Sequence, residues 1–250
     1  MALTPIWDPE KGKMRVAGLV SGSGKSLITV IEGQTQMEAE GNPPYEVVGI
    51  FSDSPKSKAE AIGKQYGIPA FTNDIRAFYE RRGKKITDRI VREEFDREIV
   101  KTLEPLKPHV LAYAGYVWAT TAPLVDAFLG INGHPADLSI MEGGKRKFAG
   151  ANGVGDALLA GEKTLASTAH IVTTEVDGGP ILMISEPVQV EEHEGMSLED
   201  MSRHYLRLLN EKIRVLFARV IKDLAEGTFK RDEGGALYYG QTPIPKGYRL

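Results

Sequence analysis

Apolar runs alternate with stretches of helical pattern along this chain, and no other feature of the sequence constrains the fold as strongly. The runs Arg15–Val20 and Tyr45–Ser52 are each followed by a helix-compatible stretch, one from Lys25 to about Glu40 and one from Lys58 to Tyr66. Continuous apolar runs, in place of strict apolar–polar alternation, are typical of parallel strands buried on both faces. The sequence therefore predicts a Rossmann-like α/β fold with a mostly parallel, twisted sheet and helices on both faces.

Later segments extend the same pattern. Val110–Ala114 and Gly130–His134 predict two further strands, with a short helix from about Ala122 between them. Many charges at helical spacing between Asp74 and Thr102 predict one or two surface helices.

The second half of the chain changes character. Residues 137–155 are rich in glycine and show little periodicity, which predicts a long loop of functional importance. Ala169–Thr174 and Pro180–Val190 predict a C-terminal hairpin. A long helix is then predicted from Ser197 to about Ala225, with acidic residues in its first turn.

The composition excludes several kinds of chemistry. The chain contains no cysteine, so it has no disulfide framework, thiolate zinc site, iron–sulfur cluster or cysteine nucleophile. Its 31 basic and 34 acidic residues give a formal net charge of −3, which offers no electrostatic reason to expect nucleic acid as a partner.

The N-terminal stretch and the most apolar stretch bear on location. Residues 1–13 lack the apolar core of an export signal, and residues 109–125 are shorter than the ~20 apolar residues of a spanning helix. We expect a cytoplasmic protein that acts on small molecules as a monomer or homodimer, without a membrane partner. No composition break marks a second domain, so we expect one domain over residues 1–250, with residues 1–13 as an N-terminal extension.

A glycine-rich segment, Ser-Gly-Ser-Gly-Lys-Ser, follows the first predicted strand and opens a helix, a geometry that presents backbone N–H groups to an anion. Gly24, Lys25 and Ser26 match the end of a P-loop, but that motif needs a glycine at the position of Leu19. A dinucleotide fingerprint fails because its third glycine would stand at Leu27. The segment is therefore either a phosphate cradle of neither standard type or a turn without a ligand.

Asn132 and His134 lie at the end of the predicted strand Gly130–His134, where open α/β sheets bind ligands. Residues two apart on a strand share a face, and Pro135 favours an extended backbone at the histidine. An amide and an imidazole side by side can stabilise one carbonyl oxygen as it becomes an oxyanion. As a partner, Asp177 would raise the pKa of His134 and orient it. The alternatives are a structural histidine beside a loop asparagine, and an aspartate that only begins a tight turn.

Motifs spread along the chain resemble those of the folate-dependent formyltransferases. In chain order they are SGSGKSL at 21–27, which resembles the family's SGxGxNL, AGY at 114–116 (AGF/Y), NGHP at 132–135 (NxHP), EVDGGPI at 175–181 (ELDGGPI) and the ending GQTPIPKGY at 240–248. The resemblance spans residues 14–248 in family order and is much more specific than any one motif.

This resemblance implies a formyltransferase fold and a reaction. The formyl group would pass from 10-formyltetrahydrofolate to the amine of a phosphoribosyl acceptor, with glycinamide ribonucleotide of purine synthesis as the first candidate. Asn132 and His134 would flank the formyl carbon and stabilise the oxyanion, and Asp177 would tune His134. The chemistry needs no metal, and the histidines show no metal-ligand spacing.

The resemblance also implies binding residues. Gly24, Lys25 and Ser26 would lie at the phosphate of the substrate, and Glu211 is a weaker match to a glutamate that contacts the acceptor. Segment 173–177 would join the pterin pocket. The residues implied to bind folate are Arg92, Val117, Trp118, Ala119, Thr120 and Asn132.

The chain departs from the family pattern at several positions. Ser26 replaces the asparagine of SGxGxNL, Trp118 replaces the arginine of GFMR, and residues 137–155 replace the shorter HPSLLPxxPG run. Without the resemblance, Arg92 is interpreted as a solvated charge on a helix.

Three alternatives remain at this point. The enzyme could formylate another amine, such as that of an amino-sugar nucleotide, or it could hydrolyse 10-formyltetrahydrofolate. A non-catalytic module that binds phosphate or nucleotide is the third. The presence of Asn132, His134 and Asp177 together argues against that module.

Overall fold

The secondary structure follows the predicted alternation of strands and helices in the computed structural model, which describes residues 2–191 and 195–250. The strands are β1 (Thr4–Pro5), β2 (Met14–Val20), β3 (Tyr45–Ser52), β4 (Ala70–Thr72), β5 (Val110–Tyr113), β6 (Leu129–His134), β7 (Met141–Glu142), β8 (Lys145–Arg146), β9 (Thr164–Leu165), β10 (Thr168–Ile171), β11 (Ile181–Ile184), β12 (Val188–Gln189), β13 (Phe229–Arg231), β14 (Leu237–Tyr239), β15 (Thr242–Pro243) and β16 (Tyr248–Arg249). The α-helices are α1 (Lys25–Glu40), α2 (Ala59–Tyr66), α3 (Ile75–Glu80), α4 (Arg89–Leu103), α5 (Ala122–Ala127), α6 (Gly153–Leu159) and α7 (Leu198–Ala225). None of the described helices is long and apolar enough to cross a membrane.

Two compact units make up the chain. The N-terminal unit consists of Pro9–Ile131 and Val172–Glu175, and the C-terminal unit consists of the residues up to Asp8, Asn132–Ile171 and Val176–Leu250. Strand β6 begins in the first unit and ends in the second.

The N-terminal unit contains a parallel sheet in the order β6-β5-β2-β3-β4. The central strand β2 is covered on both faces, as its continuous apolar sequence predicts. Ala17 and Leu19 face a buried cluster that includes residues of α3, α4 and α5. Gly18 points to the opposite face, where a Cβ would come within 2.4 Å of the Leu27 side chain of α1. The predicted α/β class, with helices on both faces of a mostly parallel sheet, is confirmed.

The C-terminal unit orders its strands β16-β11-β10-β6, with β10 and β11 antiparallel, so the predicted hairpin is confirmed. Helix α7 begins after Ser197, whose side chain accepts a hydrogen bond from the Asp200 backbone N–H. Its buried residues recur at the three- and four-residue spacing of one helix face, as at Tyr205, Leu209 and Ile213.

A small second sheet in the C-terminal unit was not predicted. Strands β1, β13, β14 and β15 form it, and Thr4 of the predicted N-terminal extension pairs with Arg231. The strands are two or three residues long, too short for a periodic signal in the sequence. The prediction of one domain over residues 1–250 stays a prediction.

Two sequence predictions need correction. The predicted strand Pro180–Val190 is two strands, β11 and β12, and β12 pairs with β9. Pro187 lies between them and has no N–H to donate to a ladder. The predicted loop 137–155 contains the two-stranded β7–β8 hairpin and the start of α6 at Gly153.

Candidate active site

A cluster of four polar side chains surrounds the end of β6 in the C-terminal unit. Asp177 lies between two histidines: its Oδ2 is 3.3 Å from His134 Nδ1, and its Oδ1 is 3.4 Å from His170 Nε2. The Asn132 side-chain nitrogen lies 3.1 Å from His170 Nε2 and 3.5 Å from Asp177 Oδ1. The structure therefore brings together Asn132, His134 and Asp177, and it adds His170, which the sequence reasoning did not single out.

The hydrogen-bond partners of the two histidines assign their protons. His170 Nδ1 lies 2.9 Å from the Ile171 carbonyl oxygen and donates to it, so Nε2 accepts from the Asn132 amide. His134 Nε2 lies 2.9 Å from the Phe148 carbonyl oxygen, to which it donates. The lone pair of His134 Nδ1 then faces the Asp177 carboxylate, and a second proton would bind between these two groups.

Burial lowers the pKa of His134 below its ordinary value, because only 6% of the residue is exposed. The Asp177 carboxylate and the Phe148 carbonyl oppose this shift, whereas His170 and Arg146 add to it. Asp177 raises the pKa of His134, as expected, but the net shift is downward, so Asp177 does not keep His134 charged. The loss of hydration outweighs the neighbouring carboxylate, so the imidazole is neutral at pH 7.

Asp177 shows the opposite balance. Burial raises the pKa of its carboxyl group, but the two neighbouring histidines, His170 and His134, and the Gly150 backbone N–H lower it more, to about 2. The Gly150 nitrogen lies 2.8 Å from Asp177 Oδ2. The carboxylate is therefore charged throughout the physiological pH range.

This low pKa makes folding stability depend on pH. A carboxyl group whose pKa falls on folding adds stability above its unfolded pKa, and that stability is lost as the pH falls through the folded value. With a folded pKa of about 2, Asp177 should lose about 1 kcal/mol of its contribution between about pH 5 and about pH 3. Urea unfolding at these two pH values measures the loss, which should shrink in Asp177→Asn. An equal loss in both proteins would contradict the prediction.

The glycine-rich loop lies in the N-terminal unit, at the carboxyl end of β2. Gly24 precedes α1 with a positive φ of 63°, and a Cβ there would come within 2.6 Å of Ile62, so only glycine fits. No side chain caps the helix at Gly24, and no acidic residue lies in its first turn, which starts with Lys25 and Ser26. The positive end of the helix is therefore suited to an anion.

Comparisons with known proteins agree with this geometry. Residues 14–213 match the model of the formyl transferase family, described as "Formyl transferase". The chain belongs to the formyl transferase family. It is 27% identical to the phosphoribosylglycinamide formyltransferase of Escherichia coli K12 over 241 residues, which cover 94% of this chain and 98% of that protein. The Haemophilus influenzae protein of the same name is 28% identical, with the same two coverages.

A solved structure supports the same assignment. The crystal structure of glycinamide ribonucleotide transformylase 1 from Symbiobacterium toebii matches with a TM-score of 0.70 and 25% identity, covering 91% of this chain and 94% of that one. This chain is accordingly a formyltransferase, an enzyme that acts on small molecules. Within the described ranges, 2–191 and 195–250, no group of three or more His, Cys, Asp or Glu residues is placed to hold a metal ion.

Arg92 of this formyltransferase is buried, at 7% exposure, so its interpretation as a solvated charge is wrong. The guanidinium donates to the Ala119 carbonyl oxygen at 2.8 Å, to Asp96 at 2.7 Å and to the Tyr116 hydroxyl at 2.9 Å. These three hydrogen bonds compensate the cost of burying the Arg92 charge. Two of the partners are far from Arg92 in the sequence, so the helical charge pattern predicts exposure instead. Nη1 has no hydrogen-bond partner among the described residues, and the folate-binding role of Arg92 stays a prediction.

The segment predicted to bind the folate carries apolar side chains at the surface of the N-terminal unit. Val117 is 75% exposed, Ala119 is exposed, and Thr120 is buried. Trp118 is half-buried, and its indole N–H donates to Asp53 Oδ2 at 2.6 Å. An apolar, partly aromatic surface of this kind suits a planar ring.

Glu211 lies exposed on α7 and pairs with Arg214 at 2.6 Å, so its contact with the acceptor stays a prediction. The sequence reasoning missed two residues that the cluster needs. His170 is a polar residue inside an otherwise apolar predicted strand, which is a signal that could have indicated a site. Arg146 lies in the 137–155 stretch and donates to the carbonyl oxygens of Asp177 and Gly179; its sequence context gives no such signal.

Proposed function

We propose that this enzyme transfers the formyl group of 10-formyltetrahydrofolate to the primary amine of glycinamide ribonucleotide. The observation that carries the proposal is the cluster of Asn132 and His134 with a charged Asp177 at 3.3 Å from the imidazole. The acceptor follows from the relatives, which are named phosphoribosylglycinamide formyltransferases and are matched over nearly their whole length. We propose that residues 1–250 act as one formyltransferase domain.

The chemistry requires an oxyanion to be stabilised and a proton to be moved. The acceptor amine attacks the formyl carbon, a C–N bond forms, and the formyl oxygen becomes negative. His134 Nε2–H is the donor suited to that oxygen, since it already donates to a carbonyl oxygen, that of Phe148, at 2.9 Å. The formyl oxygen would replace the Phe148 carbonyl, with the Asn132 amide beside it.

The proton of the attacking amine then has a destination. Because His134 is neutral at pH 7, it can accept this proton, and the Asp177 carboxylate stabilises the resulting imidazolium. A proton of this imidazolium then passes to N10 of the folate as the C–N10 bond breaks, which returns His134 to its neutral form. The products are the formylated amine and tetrahydrofolate, so atoms and charge balance.

The N-terminal unit would hold the acceptor's phosphate. Helix α1 offers an uncapped N-terminus at Gly24, and Lys25 adds a positive charge in the first turn. The Ser26 hydroxyl is a further donor in that turn, where the family pattern has an asparagine. These groups together favour a phosphorylated acceptor over its dephosphorylated form.

The test supplies the purified enzyme with 10-formyltetrahydrofolate and either glycinamide ribonucleotide or the corresponding riboside without phosphate. Mass spectrometry should show one formyl group added to the ribonucleotide. The kcat/KM for the riboside should be at least about tenfold lower than for the ribonucleotide, which is the effect expected from losing one hydrogen bond to a charged group. Formate release at the same rate without an acceptor would instead indicate a hydrolase. Binding of a folate without any turnover would indicate a non-catalytic module.

A further inference from the structure

A short stretch of the C-terminal unit, residues 141–150, contacts the proposed catalytic groups at several points. It comprises the β7–β8 hairpin and the four residues that follow. The Phe148 carbonyl accepts from His134, and the Gly150 backbone N–H donates to the Asp177 carboxylate. Arg146, on β8, donates from both terminal nitrogens to the carbonyl oxygens of Asp177 and Gly179.

Asp177 needs such support because of its backbone. Its φ is 51°, in the left-handed region that costs free energy for a residue with a side chain. The two carbonyls that Arg146 binds are that of Asp177 itself and that of Gly179, two residues later, and a planar guanidinium is suited to two acceptors at once. A lysine has one nitrogen and cannot reproduce this fork.

We propose that Arg146 is a positioning residue for formyl transfer, which holds the Asp177 turn so that the carboxylate stays against His134. The inference rests on the proposed function for its kinetic consequence, but the geometry it describes does not require a substrate. Nothing in the family motifs of this sequence includes Arg146, because it lies in the stretch that replaces HPSLLPxxPG.

Arg146 also contributes charge. The groups that face His134 are Asp177, His170, Arg146 and the Phe148 carbonyl. His170 and Arg146 add to the effect of burial and lower the pKa of His134. The Asp177 carboxylate and the Phe148 carbonyl oxygen raise it. Arg146 therefore holds the Asp177 turn and also adds a small effect that lowers the pKa of His134, in the same direction as burial. These two effects can be separated, because Arg146→Lys retains the charge but loses the fork, whereas Arg146→Met loses both.

The experiment compares Arg146→Met, Arg146→Lys and, as a matched control, Lys145→Met, which removes one charge from the exposed neighbouring position. The His134 pKa is read by NMR titration of the imidazole nitrogens, and kcat and KM are measured across pH. Arg146→Met should lower kcat about 10- to 100-fold, with a smaller change in KM, because the Asp177 carboxylate is no longer held against His134. Arg146→Lys should lower both kcat and the His134 pKa, because the positive charge stays while the carboxylate that raises this pKa is no longer held against the imidazole. Lys145→Met should change neither quantity.

A fall in melting temperature with unchanged kcat in Arg146→Met, or an unchanged His134 pKa in Arg146→Lys, would overturn the proposal, since Arg146 would then be structural only. If the Met variant does not fold, a wild-type kcat in the Lys variant overturns it equally. The NMR titration needs no substrate. An absence of formyl transfer in the wild-type enzyme would therefore refute the proposed function and leave the positioning of Asp177 to be decided by the titration.

Discussion

Replacing Asp177 with asparagine should lower the kcat of formyl transfer by about 10²- to 10³-fold, the usual effect of removing a group that stabilises developing charge. Asparagine keeps the size of the side chain and can still accept from the Gly150 N–H. It removes the negative charge 3.3 Å from His134 Nδ1, and with it the stabilisation of the imidazolium formed when the amine loses its proton. Steady-state kinetics with saturating donor and acceptor measure the effect.

A matched control separates this effect from a general loss of structure. Asp232→Asn makes the same change in the same unit, at a turn where Asp232 Oδ1 accepts from the Gly234 backbone N–H at 2.9 Å. It should keep wild-type kcat. Thermal unfolding by circular dichroism should show that both variants are folded at the assay temperature. A kcat for Asp177→Asn within about threefold of the wild type would rule out the proposed role of the carboxylate, given the size of such effects.

The second large effect concerns stability. Asp96→Ala should lower the free energy of unfolding by about 3–5 kcal/mol, because it leaves the charge of Arg92 buried without its partner. Asp96 has no exposed surface and accepts from Arg92 at 2.7 Å and from the backbone and hydroxyl of Thr121 at 2.8 and 2.6 Å. Urea denaturation followed by circular dichroism measures the change.

The same helix offers an exposed ion pair as a control. Glu93 lies 3.4 Å from Arg97, and the two side chains are 37% and 59% exposed, in contrast to the buried Arg92–Asp96 pair. Glu93→Ala should change the free energy of unfolding by less than about 1 kcal/mol, as exposed pairs generally contribute little. An equal loss of unfolding free energy in Asp96→Ala and Glu93→Ala would contradict the prediction that burial makes the Arg92–Asp96 pair contribute more to stability.

Much of the architecture could be predicted because its signals are local. The strand β3 has the bounds that its apolar run predicts, and α1 begins directly after Gly24, where the left-handed backbone stops a helix from extending further back. The burial of Arg92 could not be predicted. Its partners Asp96, Tyr116 and Ala119 come together only in the folded unit, and a helical charge pattern contains no information about them.

The candidate site also has a part that could be predicted from the sequence and a part that could not. Strand alternation places Asn132 and His134 on one face, but sequence distance gave no means to bring Asp177 to them beyond the family resemblance. The effect of Asp177 on the pKa of His134 has the predicted sign, but the net shift is downward, because burial opposes the carboxylate and only the folded structure shows which effect is larger. The sequence does not indicate Arg146, because its partners are backbone carbonyls, which every residue has.

The left-handed backbone at Asp177 has a consequence for which amino acids can ever occupy that position. Among residues with side chains, asparagine, aspartate and histidine visit this conformation most often, and glycine does so without cost. The proposed proton transfer, in contrast, requires a carboxylate, which aspartate and glutamate provide. Aspartate meets both requirements. The left-handed backbone conformation and the acid–base chemistry therefore favour the same amino acid at this position for independent reasons.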